Sequence, residues 1–447
     1  MKIPLSPPSE RDVVGKIPPE RLARIMESYS PLAEGEYLHW DQLRHREPPG
    51  DLTPEEWWFA IKMARLGQSR RLPLLDKSSK PLLLATPEPV QIHLHHIDRD
   101  AAGEILAPGE INTPEQRNRY LLHSLIEEAI TSSQLEGAAT TRKVAESMLR
   151  EQRKPRDRSE QMIFNNYQAM ETIRGMKDEP ITPERILKLH WILTEDTLDD
   201  PADAGRLRLS DDVHVADHRD GTILHQPPTY SELPERLDRL CTFANAGENA
   251  TPFVHPALRA ILLHFMIGYD HPFVDGNGRT ARALFYWSMA RSGYWLMEFL
   301  SISHFLRAAP AQYVRAYLHT ETDSCDTTYF ILHQLETIRK AIAALHDYLA
   351  RTAEEQRSTE RLLATSPKLR NKINHRQVAL LAHALKHPGE VYRIDSHQRT
   401  HGTAYQTARS DLLGLVELGL LISDRGGRAL LFIAPGDLQD KIVNIAG

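Results

Sequence analysis

The chain has 447 residues, a formal net charge of −6, 41% hydrophobic residues and 26% charged ones. That balance belongs to a globular protein of about two to four domains, gives no global pull toward nucleic acid, and includes no apolar run long enough to span a membrane. Two cysteines, Cys241 and Cys325, exclude a disulfide framework and favour a cytoplasmic location.

Residues 1–19 are proline-rich and polar, lack an apolar signal core and read as a loose arm. Residues 57–63, with Trp57, Trp58 and Phe59, read as a helix with an apolar face. Residues 82–85 and 90–95 read as short strands split by prolines, and 96–115, with Pro108 and Pro114, as loop. From Thr113 to about Glu355 the pattern is almost all helix. Tyr120, Leu121, Leu125, Ile126, Ala129 and Ile130 make one amphipathic face. Ser132 and Glu136 follow four residues apart, which places them on the same face, and Gly137 suits the helix end. Thr182-Pro183-Glu184 is a cap, a first-turn proline and an acid, so a helix starts there; the same logic applies at 231–234. Between them, residues 213–215 and 222–224 flank Asp220-Gly221, the signature of a hairpin.

Residues 271–282 read His-Pro-Phe-Val-Asp-Gly-Asn-Gly-Arg-Thr-Ala-Arg. An imidazole at His271 titrates near neutral pH and suits a general base. Asp275 is a hard oxygen ligand suited to magnesium that also holds phosphate oxygens. Gly276, Asn277 and Gly278 precede a helical apolar run, so their N–H groups lie at a helix N-terminus where phosphate is favoured. Arg279 and Arg282 each offer several donors to phosphate oxygens. Residues 327–357 then form one long helix, ending in a charged run. The last 80 residues change character: helices at 377–386, 393–400 and 403–418, then strands at 422–425 and 428–433 around a Gly-Gly turn. That order resembles a winged helix-turn-helix, with Thr403, Tyr405, Gln406 and Arg409 on a recognition helix. Residues 367–447 carry 11 lysines and arginines against 7 aspartates and glutamates, an excess too modest to choose between DNA and protein as partner.

The 271–282 string matches, at every position, the signature His-x-Phe-x-Asp/Glu-Gly-Asn-Gly-Arg-x-x-Arg of the Fic (filamentation induced by cAMP) family, which it closely resembles. His190 with Leu193-Thr194, Gly205 to Arg208, Pro227-Pro228, His255-Pro256 and His264 resemble flanking family features. The resemblance implies a mainly α fold: a Fic-type helical bundle with a β-hairpin flap, plus the C-terminal winged helix-turn-helix domain. Three regions are expected: a mixed region at 1–112 packing on the catalytic body, a Fic domain at 113–360 with its inhibitory helix, and 361–447. The implied activity is transfer of AMP from ATP, with magnesium at Asp275, to a Ser, Thr or Tyr hydroxyl of a target protein. The resemblance places the flap residues Ile223, Leu224 and His225, and Tyr313, along the nucleotide. Ser132 to Gly137 resembles the family's inhibitory motif, in which Glu136 would pair with Arg282 and occlude the γ-phosphate. Related proteins often form homodimers. Open alternatives are removal of AMP, transfer of another nucleotide, and a DNA-binding regulator with a nucleotide-sensing Fic domain.

Overall fold

The computed structural model describes residues 2–26, 30–102, 114–217, 219–364, 369, 372–426 and 429–446. Pro108, the boundary expected at 112 and 113, Gly427 of the expected Gly-Gly turn and Arg428, the start of the expected second strand, lie outside them. The protein is mainly α and divides into two compact units, one drawn from residues 1–103, 127–141 and 155–341, the other from 104–126, 142–154 and 342–447.

The first unit is built around a buried helical hairpin, Pro256–Asp270 and Asn277–Arg291. Both helices are buried nearly all round and pack along their length; the first is mostly apolar, while the second also buries Asn277, Arg279, Thr280 and Arg282. Helix Arg158–Gly175 and helix Pro183–Thr194 pack against Asn277–Arg291. Of the two caps read from sequence, Thr182 is in place, its hydroxyl accepting the N–H of Arg185; at 231–234 a helix does start, Leu233–Ala244 with Pro234 in its first turn, but its cap is Glu232, without a side-chain bond, and Ser231 lies in the preceding 3-10 turn. The hairpin is present too, Val215–Ala216 pairing antiparallel with Ile223–His225, and Gly221 turns at φ 72°.

Three expectations for the N-terminal hundred residues fail, the first being the loop expected from residue 96, which is helix to Ile97 and a π-helix over Asp98–Ala102. Residues 90–95 are not a strand but part of helix Glu88–Ile97. Val90, Ile92 and Leu94 alternate like a strand, but the positions that bury are Val90 and Ile97, seven apart, while Ile92 is exposed. The arm is not loose from residue 10 onward. Helices Glu10–Val14 and Pro19–Met26 and the link between them bury Val13, Ile25 and Ile17 against Phe59 and Ala60 of helix Pro54–Gln68. Arg21 reinforces the docking with bonds to Glu56 at 2.7 and 2.8 Å. Residues 82–85 do begin as a strand, Pro81–Leu84, paired with Arg70–Leu75. Both cysteines are buried and unbonded, and burial pushes their thiols up to about 12.

In the second unit, helices His375–Lys386, Ile394–His401 and Tyr405–Glu417 precede strands Ile422–Gly426 and Ala429–Ile433. A short strand missed in the sequence, Val391–Arg393, pairs with Ala429–Ile433, which is therefore central in a three-stranded sheet. Leu381, Leu412, Leu415, Leu420 and Phe432 form its core. Asp411, buried on the third helix, accepts from Arg376 at 2.7 Å, Asn374 at 2.7 Å and His397 at 3.2 Å. Among the described residues, no helix is long and apolar enough to cross a membrane.

Candidate functional site

The helical hairpin turns through residues 271–276, and Asn277 fixes the turn. Its buried side-chain amide accepts the Phe273 N–H at 3.0 Å and donates to the Phe273 carbonyl at 2.8 Å. His190, from helix Pro183–Thr194, fixes the other side. The Gly205 N–H donates to Nδ1 at 3.0 Å, so the proton sits on Nε2, which donates to the Asp275 carbonyl at 2.9 Å. The ring stacks on Phe273 with centroids 3.7 Å apart, and burial lowers its pKa to about 4. Gly276, at φ 81°, has no room for a side chain: a Cβ would lie 2.6 Å from the Thr194 methyl.

His271 caps the first helix in a left-handed conformation, φ 44°. Its Nδ1 lies 3.2 Å from the Gly268 carbonyl. The ring must donate there, which leaves the Nε2 lone pair as the proton acceptor. Burial lowers the imidazole to about 4, with His225 and Arg208 pushing the same way and Glu136 opposing, so the ring is neutral at neutral pH.

Arg279 and Arg282 are each 1% exposed. Arg279 Nη1 donates to the Leu193 carbonyl at 2.8 Å, but among the described residues its Nε and Nη2 have no hydrogen-bond partner, Nη2 lying 3.6 Å from the Asp275 carboxylate. Arg282 Nε donates to the Ser132 hydroxyl at 2.9 Å, and Nη2 to the Ser132 carbonyl at 3.0 Å and Glu136 at 2.8 Å; its Nη1 has no hydrogen-bond partner among the described residues. Unmet donors on two buried cations are costly, and an anion would satisfy them. A Cβ on Gly278 would run into the Glu136 carboxylate, so Glu136 stands over the glycine turn itself. Gly137, at φ 93°, ends the helix Pro114–Leu135 as its sequence position implied.

Asp275 is half exposed, its carboxylate 3.6 Å from Arg279 and 3.9 Å from Arg158. No cluster of three or more His, Cys, Asp or Glu side chains among the described residues could hold a metal alone. Magnesium does not require one, because it keeps waters and takes phosphate oxygens beside one or two carboxylates. A single accessible carboxylate fits that ion.

The remaining sequence candidates divide. Ile223 is exposed at the flap edge and Leu224 is partly buried beside it. His225 is buried, and both ring nitrogens are taken, by Glu321 at 2.7 Å and the Tyr269 carbonyl at 2.6 Å. It anchors the flap to helix Pro256–Asp270. The Tyr313 hydroxyl bonds His264 Nε2 at 2.7 Å, and its phenol feels the Arg282 charge.

Three residues escaped the sequence reading as site components. His190 and Arg208 stood in matched flanking motifs but had no assigned task. Glu128 gave no signal at all. It is 2% exposed and accepts from Tyr286 at 2.9 Å, Ser301 at 2.8 Å and both the N–H and hydroxyl of Ser303, at 3.2 and 2.5 Å. It pins the helix that carries Ser132 and Glu136.

Residues 180–289 match the family model described as Fic/DOC family. That segment holds the flap, the loop and both arginines; Glu136 lies outside it. The protein adenylyltransferase Fic of Nematostella vectensis is 33% identical over 118 residues, 26% of this chain and 25% of that protein. The protein adenylyltransferase fic-1 of Caenorhabditis elegans is 32% identical over 123 residues, 28% of this chain and 22% of that protein. The chain thus spans about a quarter of the length of these curated relatives. Among solved structures, a Fic family protein from Desulfovibrio desulfuricans G20 is 18% identical, covering 78% of this chain and 96% of that one, with a TM-score of 0.49.

Proposed function

We propose, from the premise that this chain carries a Fic domain, that it transfers the AMP moiety of ATP to a hydroxyl side chain of a target protein and is held back by Glu136. The observation that carries this reading is the set of buried, unmet Arg279 and Arg282 donors beside a glycine turn and a neutral imidazole with a free Nε2. The triphosphate lies along Gly276, Asn277 and Gly278, where helix N–H groups face it. Arg279 grips the chain of phosphates and Arg282 its γ end. Asp275 would hold magnesium, which supplies positive charge to the phosphates. The flap edge at Ile223 and Leu224 presents the target by strand addition, which fixes a peptide by its backbone. His271 Nε2 takes the hydroxyl proton as the oxygen bonds to the α-phosphorus. The α-phosphorus–oxygen bond to the β-phosphate breaks and pyrophosphate leaves. Positioning and charge stabilisation provide most of the acceleration.

ATP labelled on its α-phosphate and incubated with a cell lysate tests this. Glu136→Gly should label protein faster than wild type, and His271→Ala should lose about 100- to 10,000-fold in rate with its melting temperature kept. Labelling by His271→Ala at the parent's rate rules the mechanism out. Mass spectrometry of the product separates AMP from UMP or phosphate. The same site, run in reverse with Glu136 orienting water, would remove AMP from a modified protein, and a lysate that loses label on adding the enzyme would favour that direction.

The second unit supports a second role. Its three helices and three-stranded sheet follow the order of a winged helix-turn-helix, and Tyr405, Gln406 and Arg409 are exposed on the third helix. We propose that this face meets DNA in the major groove. A gel shift with the full-length protein, abolished by Arg409→Ala, is the expected result; no shift on duplex DNA at low salt would leave protein contact as its use.

A further inference from the structure

Arg208 has no part in the chemistry above, yet its side chain is 1% exposed and fully engaged. Its Nε donates to the backbone carbonyl of His271 at 3.0 Å. Nη1 donates to the Ser210 carbonyl at 2.7 Å and the Asp211 carboxylate at 2.9 Å, and Nη2 donates to the Pro228 carbonyl. Its own N–H donates to the Pro272 carbonyl at 2.9 Å. Asp211 in turn accepts from the Thr229 hydroxyl at 2.8 Å and the Tyr230 N–H at 2.7 Å, bonds that hold its carboxyl below the usual carboxylate range. Ser210-Asp211 and Pro228 to Tyr230 are the two shoulders of the flap. One guanidinium therefore ties both shoulders to the backbone of the residue that carries the base.

That residue needs tying. A histidine at φ 44° is in a conformation that persists only where the surroundings over-determine it. Its N–H is held by Ile267 and its ring by Gly268, both on its own helix. Arg208 is the constraint that arrives from the flap side.

We infer that Arg208 is a positioning residue that registers the target-presenting flap with His271, so that a target hydroxyl and the base arrive in one frame. The inference rests on the adenylyl-transfer reading for its kinetic consequences. The phosphate site has separate supports: Arg279 is held by Leu193, Asn277 by Phe273, Arg282 by Ser132. Loss of Arg208 thus disturbs the chemical step and spares ATP binding. It also removes a positive charge that, with His225 and against Glu136, acts on the imidazole of His271.

The experiment uses the full chain with Glu136→Gly as parent and adds Arg208→Gln, Arg208→Lys or Asp211→Asn. Labelling with α-labelled ATP and a lysate as acceptor is measured against ATP concentration and pH, and the His271 ring is titrated by NMR. Arg208→Gln should lower the maximal rate about 100-fold, the cost of a misplacement of about 1 Å, with half-saturating ATP changed by less than about twofold. The His271 titration and the acid limb of the rate should move to higher pH in Arg208→Gln and stay in place in Arg208→Lys. An unchanged maximal rate, or a loss seen mainly in ATP affinity, overturns the inference. If Arg208→Gln does not fold, Asp211→Asn decides: a folded variant labelling at the parent's rate overturns the coupling, and a slower one at the same ATP affinity supports it. A parent that labels nothing refutes the adenylyl-transfer reading instead. The ring titration then still decides the inference, which falls if His271 titrates identically with Arg208 and with glutamine.

Discussion

Glu136→Gly removes one carboxylate and little else. The helix that carries it stays anchored eight residues earlier by Glu128, and Ser132 keeps its two bonds from Arg282. What is lost is the 2.8 Å bond from Arg282 Nη2. A hydrogen bond to a charged partner contributes about 1.5–3 kcal/mol. The Glu136 side chain is 27% exposed, so solvent screens the pair and the estimate falls to about 1–2 kcal/mol. ATP must displace this contact to reach Arg282, so the variant should bind ATP about five- to thirtyfold more tightly. Calorimetric titration with a non-transferable ATP analogue reads the affinity, and incorporation of α-labelled AMP at low ATP reads the rate. Glu136→Gln, which keeps the shape and an acceptor but not the charge, should fall between the two. The vacated guanidinium is a buried charge short of a partner, so the melting temperature should drop without nucleotide and recover with it. Equal affinity in wild type and Glu136→Gly would refute the reasoning, because it would mean that ATP never competes for Arg282.

Gly276→Ala sets a Cβ against Thr194 at a φ of 81°, and should cost about 1–3 kcal/mol in chemical denaturation; a loss under about 0.5 kcal/mol would show that the turn relaxes. Stability should also fall with acid. Burial lowers His39 to about 3 and His190 and His319 to about 4, from 6.5. Between those limits the unfolded chain binds protons that the folded one refuses, so stability rises with pH, by about 1.4 kcal/mol per unit for each fully shifted histidine. Asp270, which burial raises to about 6 against the pull of Arg236, acts in the opposite sense over the same window, but three histidines outweigh one carboxyl. Melting temperatures should therefore drop steadily from pH 6.5 to pH 4; a flat profile would contradict the buried neutral rings.

What could be read from the sequence follows the range of the interaction that fixes each feature. Thr182 as a cap, Gly137 as a helix end and Asp220-Gly221 as a turn are decided within a few residues, and all three stand where their local chemistry puts them. Residues 90–95 failed at the same range because an alternating run cannot reveal which of its apolar positions will find a neighbour. The site is harder, since it is built across long separations. Arg282 meets Ser132 at a distance of 150 residues along the chain, and Arg208 meets His271 at 63. No periodicity encodes such pairs; the signature loop suggested the chemistry, and a resemblance suggested the brake proposed at Glu136. What neither supplied is the layer behind the loop. His190, Glu128 and Arg208 are a ring, a carboxylate and a guanidinium, each nearly or fully buried and each spent on hydrogen bonds to backbone or hydroxyls. Their residue types would serve equally well on a surface, and only enclosure turns them into supports. A buried charged group must be satisfied or it destabilises the fold, so its partners are chosen with care. For His190 and Arg208 those partners include the carbonyls of Asp275 and His271, the residues proposed to hold magnesium and to take the proton. The polar groups least visible in the sequence are thus the ones that hold the loop and the helix of the proposed site in place.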